Sequence, residues 1–235
     1  MKRVNTKLRI KALVFDAYGT LFDTSSVISV CNELFPGHGE ELNQIWRAKQ
    51  LEYTWLRSVM ERYEDFRKVT EDALIFACKT LNLPYDFSTI DHLMEAYLNL
   101  DPYPEVRQTL SALSNSLLAI LSNGSPWMLK SLVKSAGLER VFTHVIGADE
   151  ASIYKPSPHV YKLAVEKMGI ERDSIGFVSS NSFDVNGAKS YGFWTCWVNR
   201  LNNTWDELGF SPDVTVNKLT DLVNIIKPNS GLNSH

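Results

Sequence analysis

Asp16 stands where an apolar run, Ala12-Leu13-Val14-Phe15, ends at a carboxylate and passes into the glycine-containing stretch Ala17-Tyr18-Gly19-Thr20. Such a run reads as a buried parallel strand, and the carboxyl end of a strand is where open α/β sheets bind ligands. With Tyr18 rather than a second acid two residues on, Asp16 suits a nucleophile that has no proton donor beside it. Three further polar loops follow apolar runs, or come shortly after them: Ser122-Asn123-Gly124-Ser125, the loop around Lys155, and Ser179 to Asp184. Together they bring two carboxylates, one ammonium, several hydroxyls and two amides. Each has a plainer reading when taken alone. Asp16 and Asp184 would serve as caps or turn formers, Ser122 to Gly124 as a turn and Lys155 as a surface lysine. Their order and placement together point to a site.

The elements that must position these groups follow from pattern. Leu117 to Leu121, His144 to Gly147, Ile175 to Val178 and Thr195 to Val198 read as strands. Ser125-Pro126 and Ser157-Pro158 read as N-cap and first helical residue. Strands alternating with helices imply parallel βαβ units, whose right-handed crossovers put all four loops at one sheet edge. From Ser25 to Leu98 the pattern is helical instead. Glu40 to Glu61 carries Leu42, Ile45, Trp46, Leu51, Trp55 and Val59 at near-helical spacing, after a break at Phe35 to Gly39. A second helix opens at Thr70-Glu71-Asp72 and closes at Asn82-Leu83-Pro84. The expected organisation is an α/β fold with a doubly wound, Rossmann-like parallel core (8–22 and 100–227), an inserted helical cap subdomain (23–99) and a disordered tail (228–235).

Composition narrows the classes. The chain has 235 residues, 44% hydrophobic and 22% charged, as a globular protein has. A net charge of -3 argues for neither nucleic acid nor an anionic membrane surface. No run approaches the ~20 apolar residues of a membrane span. Lys2, Arg3, Lys7, Arg9 and Lys11 precede an apolar run too short for a signal peptide and read as a solvated tail. Cys31, Cys78 and Cys196, odd in number and widely spaced, read as free thiols in a reducing cytoplasm. The histidines form no metal or triad spacing, and no Gly-x-Ser-x-Gly elbow occurs. Neither a metal nor an organic cofactor is expected.

Asp16 to Leu21, Ser122-Asn123, Lys155-Pro156 and the Asp184 loop resemble the four motifs of the haloacid dehalogenase superfamily. Phe35-Pro36-Gly37, Trp46-Arg47, Lys49 to Arg57 and Ser179-Ser180-Asn181 extend the resemblance to its L-2-haloacid dehalogenase branch, over about Ile10 to Asn199. Most of that superfamily are magnesium-dependent phosphatases with aspartates where this chain has Tyr18 and Ser180. A magnesium site needs those carboxylates, whereas a departing halide needs neither metal nor proton.

The resemblance therefore implies hydrolysis of short-chain L-2-haloalkanoic acids to D-2-hydroxy acids with inversion, through an ester on Asp16. A phosphatase acting on a small phosphomonoester is the alternative, and a non-catalytic binding relative is a third. It implies that Asp16 attacks, Asp184 activates water, and Lys155 keeps Asp16 ionised and oriented. Thr20, Ser179 and Asn181 fix the rotamers of Asp16, Lys155 and Asp184, and Tyr161 matches a functional tyrosine. The substrate carboxylate lies against the amides of Ala17 and Tyr18 and the Ser122 hydroxyl. Arg47, with Asn123 and Phe66, takes the halide, while Leu51, Phe66 and Phe183 line the side-chain pocket. Phe183 replaces a frequent tryptophan and Ala48 a longer polar residue, which bears on substrate range. The implied partners are a 2-haloacid, halide and a second copy of the chain in a homodimer, with no nucleic acid and no membrane.

Overall fold

The computed structural model describes residues 10–226. The basic residues from Lys2 to Arg9, the outermost core positions 8, 9 and 227, and the expected tail lie outside these. β1 (Ala12–Phe15) is buried along its length. The chain then forms only helices: α1 (Ile28–Leu34), α2 (Gly39–Val59), α3 (Phe66–Thr80) and α4 (Phe87–Tyr97). Alternation resumes with α5 (Val106–Ala112), β2 (Leu117–Ser122), α6 (Pro126–Ser135), β3 (His144–Gly147) and α7 (Pro158–Met168). It ends with β4 (Ile175–Ser179), α8 (Ser182–Tyr191), β5 (Trp194–Val198), β6 (Val214–Val216) and α9 (Asp221–Ile226).

The six strands form one sheet in the order β3-β2-β1-β4-β5-β6, every pair parallel. This is the doubly wound α/β arrangement that the alternation predicts. The chain winds outward from β1 to β2 and β3, then returns to lay β4, β5 and β6 on the other side. That reversal opens a crevice beyond the carboxyl ends of β1 and β4. Phe15 pairs with Ile120 on β2 and Val178 on β4, so Asp16 emerges beside Ser179 and close to Ser122.

Several boundaries differ from expectation. β2 extends to Ser122 and β4 to Ser179, so both serines are strand ends rather than loop residues. α3 begins at Phe66, not Thr70, because Asp65 caps it: the Asp65 side chain accepts from Lys68 N–H. Thr70 instead lies buried within the helix and donates to Phe66 O at 2.6 Å. α2 turns a different face inward from the one its apolar spacing suggests. Its buried row is Leu42, Trp46, Gln50 and Thr54, while Trp55 is exposed and Val59 is 83% exposed. Gln50 can face inward because Thr70 meets it, so α2 and α3 are joined by a polar contact as well as an apolar one. The sequence pattern does not single out α1, α4, α5, β6 or α9.

Candidate active site

Asp16 leaves β1 almost wholly buried, and its carboxylate accepts from four donors, one on Oδ1 and three on Oδ2. Oδ1 accepts from Lys155 Nζ at 3.1 Å. Oδ2 accepts from Asn181 Nδ2 at 2.8 Å, Thr20 Oγ1 at 3.1 Å and Ser179 Oγ at 3.4 Å. Thr20 can turn back onto Asp16 because Gly19 adopts φ +82°, a conformation that favours glycine. Ser180 then ties the turns together: its Oγ donates to Gly19 O at 2.6 Å and its N–H to Thr20 Oγ1 at 2.9 Å.

Lys155 reaches the same crevice from the loop before α7. Its ammonium has three protons and meets three acceptors: Asp16 Oδ1, Asp184 Oδ2 at 2.9 Å and Leu121 O at 2.6 Å. Burial pulls its pKa down, but the two carboxylates outweigh that and raise it above the ordinary lysine value. Its backbone N–H donates to Asn123 Oδ1 at 2.9 Å, which pins the loop to the end of β2.

Asp184 sits in the first turn of α8, 1% exposed. Burial, with the charge of Asp16 adding to it, outweighs Lys155 and Tyr161 and pushes its carboxyl up to about 6. Tyr161 OH donates to Asp184 Oδ1 at 2.9 Å. This approach depends on Gly187, where a Cβ would stand 2.4 Å from the Tyr161 hydroxyl and 2.6 Å from Pro156 Cβ.

One expectation is corrected here. Thr20, Ser179 and Asn181 all bond Asp16, and none of them bonds the side chain of Lys155 or Asp184. The acids hold Lys155, and Lys155 with Tyr161 holds Asp184. For Lys155 the reason is stoichiometric, since its three protons are already engaged and none is left for another acceptor.

Arg47 and Leu51 from α2 and Phe66 from α3 close over this cluster. They share one cavity with Asp16, Tyr18, Ser122, Asn123, Lys155, Asn181, Phe183 and Asp184. Ala17, Thr20, Ser179 and Tyr161 stand just outside its wall. The amide N–H groups of Ala17 and Tyr18 donate to no protein acceptor among the described residues. Ser122 Oγ accepts from Gly124 N–H at 3.2 Å. Arg47 has no carboxylate partner among the described residues. Its Nη1 donates to Gln50 Oε1 at 2.6 Å, which also accepts from Tyr97 OH at 3.1 Å. Gln50 Nε2 donates to Thr70 Oγ1 at 2.6 Å, and Trp46 Nε1 to Thr70 O at 2.8 Å.

Gln50, Tyr97 and Thr70, which orient Arg47, escaped the sequence reading. A signal existed: Gln50 falls on the row Leu42, Trp46, Gln50, Thr54, and a polar residue on a buried row requires a partner. The donor set does not suit a divalent cation. The two carboxylates are spanned by one ammonium, and no group of three or more His, Cys, Asp or Glu among the described residues could hold a metal. The arrangement instead offers a buried carboxylate nucleophile, a second acid of raised pKa, and a cation facing them across a small cavity.

A family profile described as haloacid dehalogenase-like hydrolase matches residues 10–192. The (S)-2-haloacid dehalogenase of Pseudomonas sp. (strain YL) is 47% identical over 224 residues, which are 94% of this chain and 97% of that protein. Haloacetate dehalogenase H-2 of Moraxella sp. (strain B) is 46% identical over 220 residues, 93% of this chain and 98% of that protein. Among solved structures, the L-2-haloacid dehalogenase of Xanthobacter autotrophicus with chloropropionic acid covalently bound superposes with a TM-score of 0.91. It is 40% identical and covers 94% of this chain and 100% of its own.

Proposed function

The chain belongs to the haloacid dehalogenase-like hydrolase family, and from that premise we propose that it is an (S)-2-haloacid dehalogenase. It converts short-chain L-2-haloalkanoic acids to D-2-hydroxy acids. Asp16 attacks C2 from the side opposite the halogen, so halide leaves, the centre inverts and an ester forms on Asp16. Water, deprotonated by Asp184, then attacks the ester carbonyl, releasing the hydroxy acid and restoring the carboxylate. Four groups orient Asp16, and Tyr161 and Lys155 orient Asp184. The unpaired amides of Ala17 and Tyr18 and the Ser122 hydroxyl receive the substrate carboxylate. Arg47, aimed by Gln50, receives the halide with Asn123 and Phe66. Leu51, Phe66 and Phe183 enclose the alkyl group and exclude water, which strengthens the fixed charges.

The observation that carries this reading is the ammonium of Lys155 spanning Asp16 and Asp184, with Tyr18 where an acid would be needed to protonate an alkoxide. A phosphomonoester would bring a second negative charge to a site whose two carboxylates share one ammonium and whose donor set does not suit a divalent ion. Two measurements test the proposal. L-2-chloropropionate should release chloride at the same rate with and without EDTA, and loss of activity in chelator would favour the phosphatase-like alternative. In a single turnover in oxygen-18 water the label should enter Asp16; label passing directly into the hydroxy acid would rule out the ester.

We also propose a core of residues 8–22 and 100–227 and a cap of 23–99, since two of the four helices of that insertion, α2 and α3, supply Arg47, Leu51 and Phe66 to the site. A homodimer is proposed from the cluster Leu56, Val59 and Met60, exposed at the end of α2. A cytoplasmic location is proposed from three unpaired, buried cysteines. No helix among the described residues is long and apolar enough to cross a membrane.

A further inference from the structure

The cavity around Asp16 measures about 10 Å³, room for about one water molecule. A haloacid, with a carboxylate and a halogen on its carbon chain, is several times larger. Some part of the wall must therefore move before substrate can enter. Beside this cavity lies a far larger open cleft of about 410 Å³, bounded by Asp23 to Ser25 after β1, by α2, and by Val198 to Leu201 and Asn203 at the end of β5. Arg47, Leu51 and Asn181 face both spaces and so form the partition between them.

We propose that this cleft is the passage for the haloacid anion inward and for halide and hydroxy acid outward, with Arg47 and Leu51 as its inner gate. The inference rests on the dehalogenase reading of the site. Of the three partition residues, Asn181 is held by Asp16 Oδ2 and Tyr18 O. Arg47 is held by Gln50 and by neighbouring Tyr97, with no carboxylate partner among the described residues, and the Leu51 side chain has no polar group to anchor it. Four residues apart on α2, the two lie one above the other and can swing together.

Lifting the helical insertion as a whole is the other way to open the site, and the contacts oppose it. Tyr63 OH bonds Asp149, Tyr154 OH bonds Glu64 O at 2.5 Å, and Tyr154 N–H donates to Ser58 Oγ at 3.2 Å. These fasten the insertion to the core around Tyr154, through residues none of which lines the cleft.

The cleft also has the chemistry of an anion's path. Arg200 lies in its wall, stacked over the Tyr103 ring at 3.9 Å and donating to Thr20 O at 2.9 Å. Glu105 pairs with its Nη1, yet its buried Nε–H has no acceptor among the described residues. Asn199, Asn203 and Thr24 add neutral polar groups. The acid in the wall, Asp23, accepts from the N–H and hydroxyl of Ser25, which turn its charge toward its own loop. With Arg200 paired to Glu105 and Asp23 turned to its own loop, Arg47 is left as the cation of the wall without a carboxylate partner among the described residues, which favours a carboxylate or halide over a cation.

The test places a reversible plug in the cleft. All three native cysteines are buried, so a Ser25→Cys thiol at the exposed rim is the one a methanethiosulfonate should reach. A bulky reagent on Ser25→Cys should lower kcat/KM for L-2-chloropropionate by at least about tenfold, and dithiothreitol should restore it. The methyl reagent at the same thiol, and the bulky reagent on Ser88→Cys on α4, should leave it unchanged. Full activity with the bulky group on Ser25→Cys overturns the route but leaves the dehalogenase reading intact. Equal inhibition by the methyl reagent overturns the route too, because the effect would then not be occlusion. Failure of the unmodified wild-type chain to release halide from any haloacid overturns the underlying reading, and the passage with it.

Discussion

Lys155 meets three acceptors with three protons, so a change in the charge of either carboxylate is felt by the other through one shared ammonium. Asp184 is the member whose protonation the molecule tunes. With its carboxyl pushed up to about 6, it carries a proton below that pH and cannot take one from water. Ester hydrolysis should therefore fall as pH drops through about 6, and rapid-quench mass spectrometry should find the Asp16 ester accumulating on the acid side. The stability sign runs opposite to activity. A raised carboxylate pKa stabilises the fold most below the ordinary aspartate value, and that contribution is lost as pH rises through about 6. The ionised base is thus available only where this group no longer favours the folded state. Asp184→Asn should release about one equivalent of halide per site and then stall, with the ester visible as added mass. Continued turnover near the wild-type rate would exclude Asp184 as the base.

Tyr161 belongs to α7 and Asp184 to α8, and the two helices are brought to bonding distance at a position with no side chain. Gly187, less than one turn beyond Asp184, costs helix stability as glycine does, about 1 kcal/mol against alanine. Here the usual gain from Gly187→Ala should reverse, because the new Cβ collides with the Tyr161 hydroxyl and with Pro156 beside Lys155. Overpacking of this kind costs about 1–3 kcal/mol. Gly187→Ala should lower the melting temperature and reduce kcat by more than about tenfold, as both Asp184 and Lys155 lose their orientation. A melting temperature above wild type with unchanged kcat would show that α7 and α8 can part without cost. The α2–α3 pair makes the same point from the cap side, since Gln50 and Thr70 align Arg47 only while the two helices keep their rotation.

At the scale of the molecule, a sheet wound both ways from β1 faces an all-helical insertion, and the reacting groups lie at their seam. The insertion ends α2 on Leu56, Val59 and Met60, at 45%, 83% and 59% exposure. An apolar cluster so placed is left bare by the chain's own folding and suits a second copy. Val59→Asp should shift the chain toward monomer in sedimentation velocity while leaving its melting cooperative, because Val59 touches little of its own core. An unchanged sedimentation coefficient would remove this face from any interface.

The sequence by itself determined the α/β winding and which polar groups lie at or soon after the carboxyl ends of strands. For Asp16, which follows Phe15, and Asn123, which follows Ser122, that adjacency is local, while Lys155 and Asp184 come a few residues after β3 and β4. The parallel winding followed from alternation for the same reason. Only the tertiary structure decided which donor serves which acceptor. Asp16 and Lys155 are 139 residues apart and Asp16 and Asn181 165, so their pairing depends on sheet register rather than on neighbours in the chain. It also decided that α2 turns Gln50 inward and Val59 outward, against its apolar spacing, because a buried amide finds Thr70 across the helix contact while a solvated one would not need to. Likewise the narrow space at Asp16 and the cleft beside it are products of packing distances, which residue order does not encode.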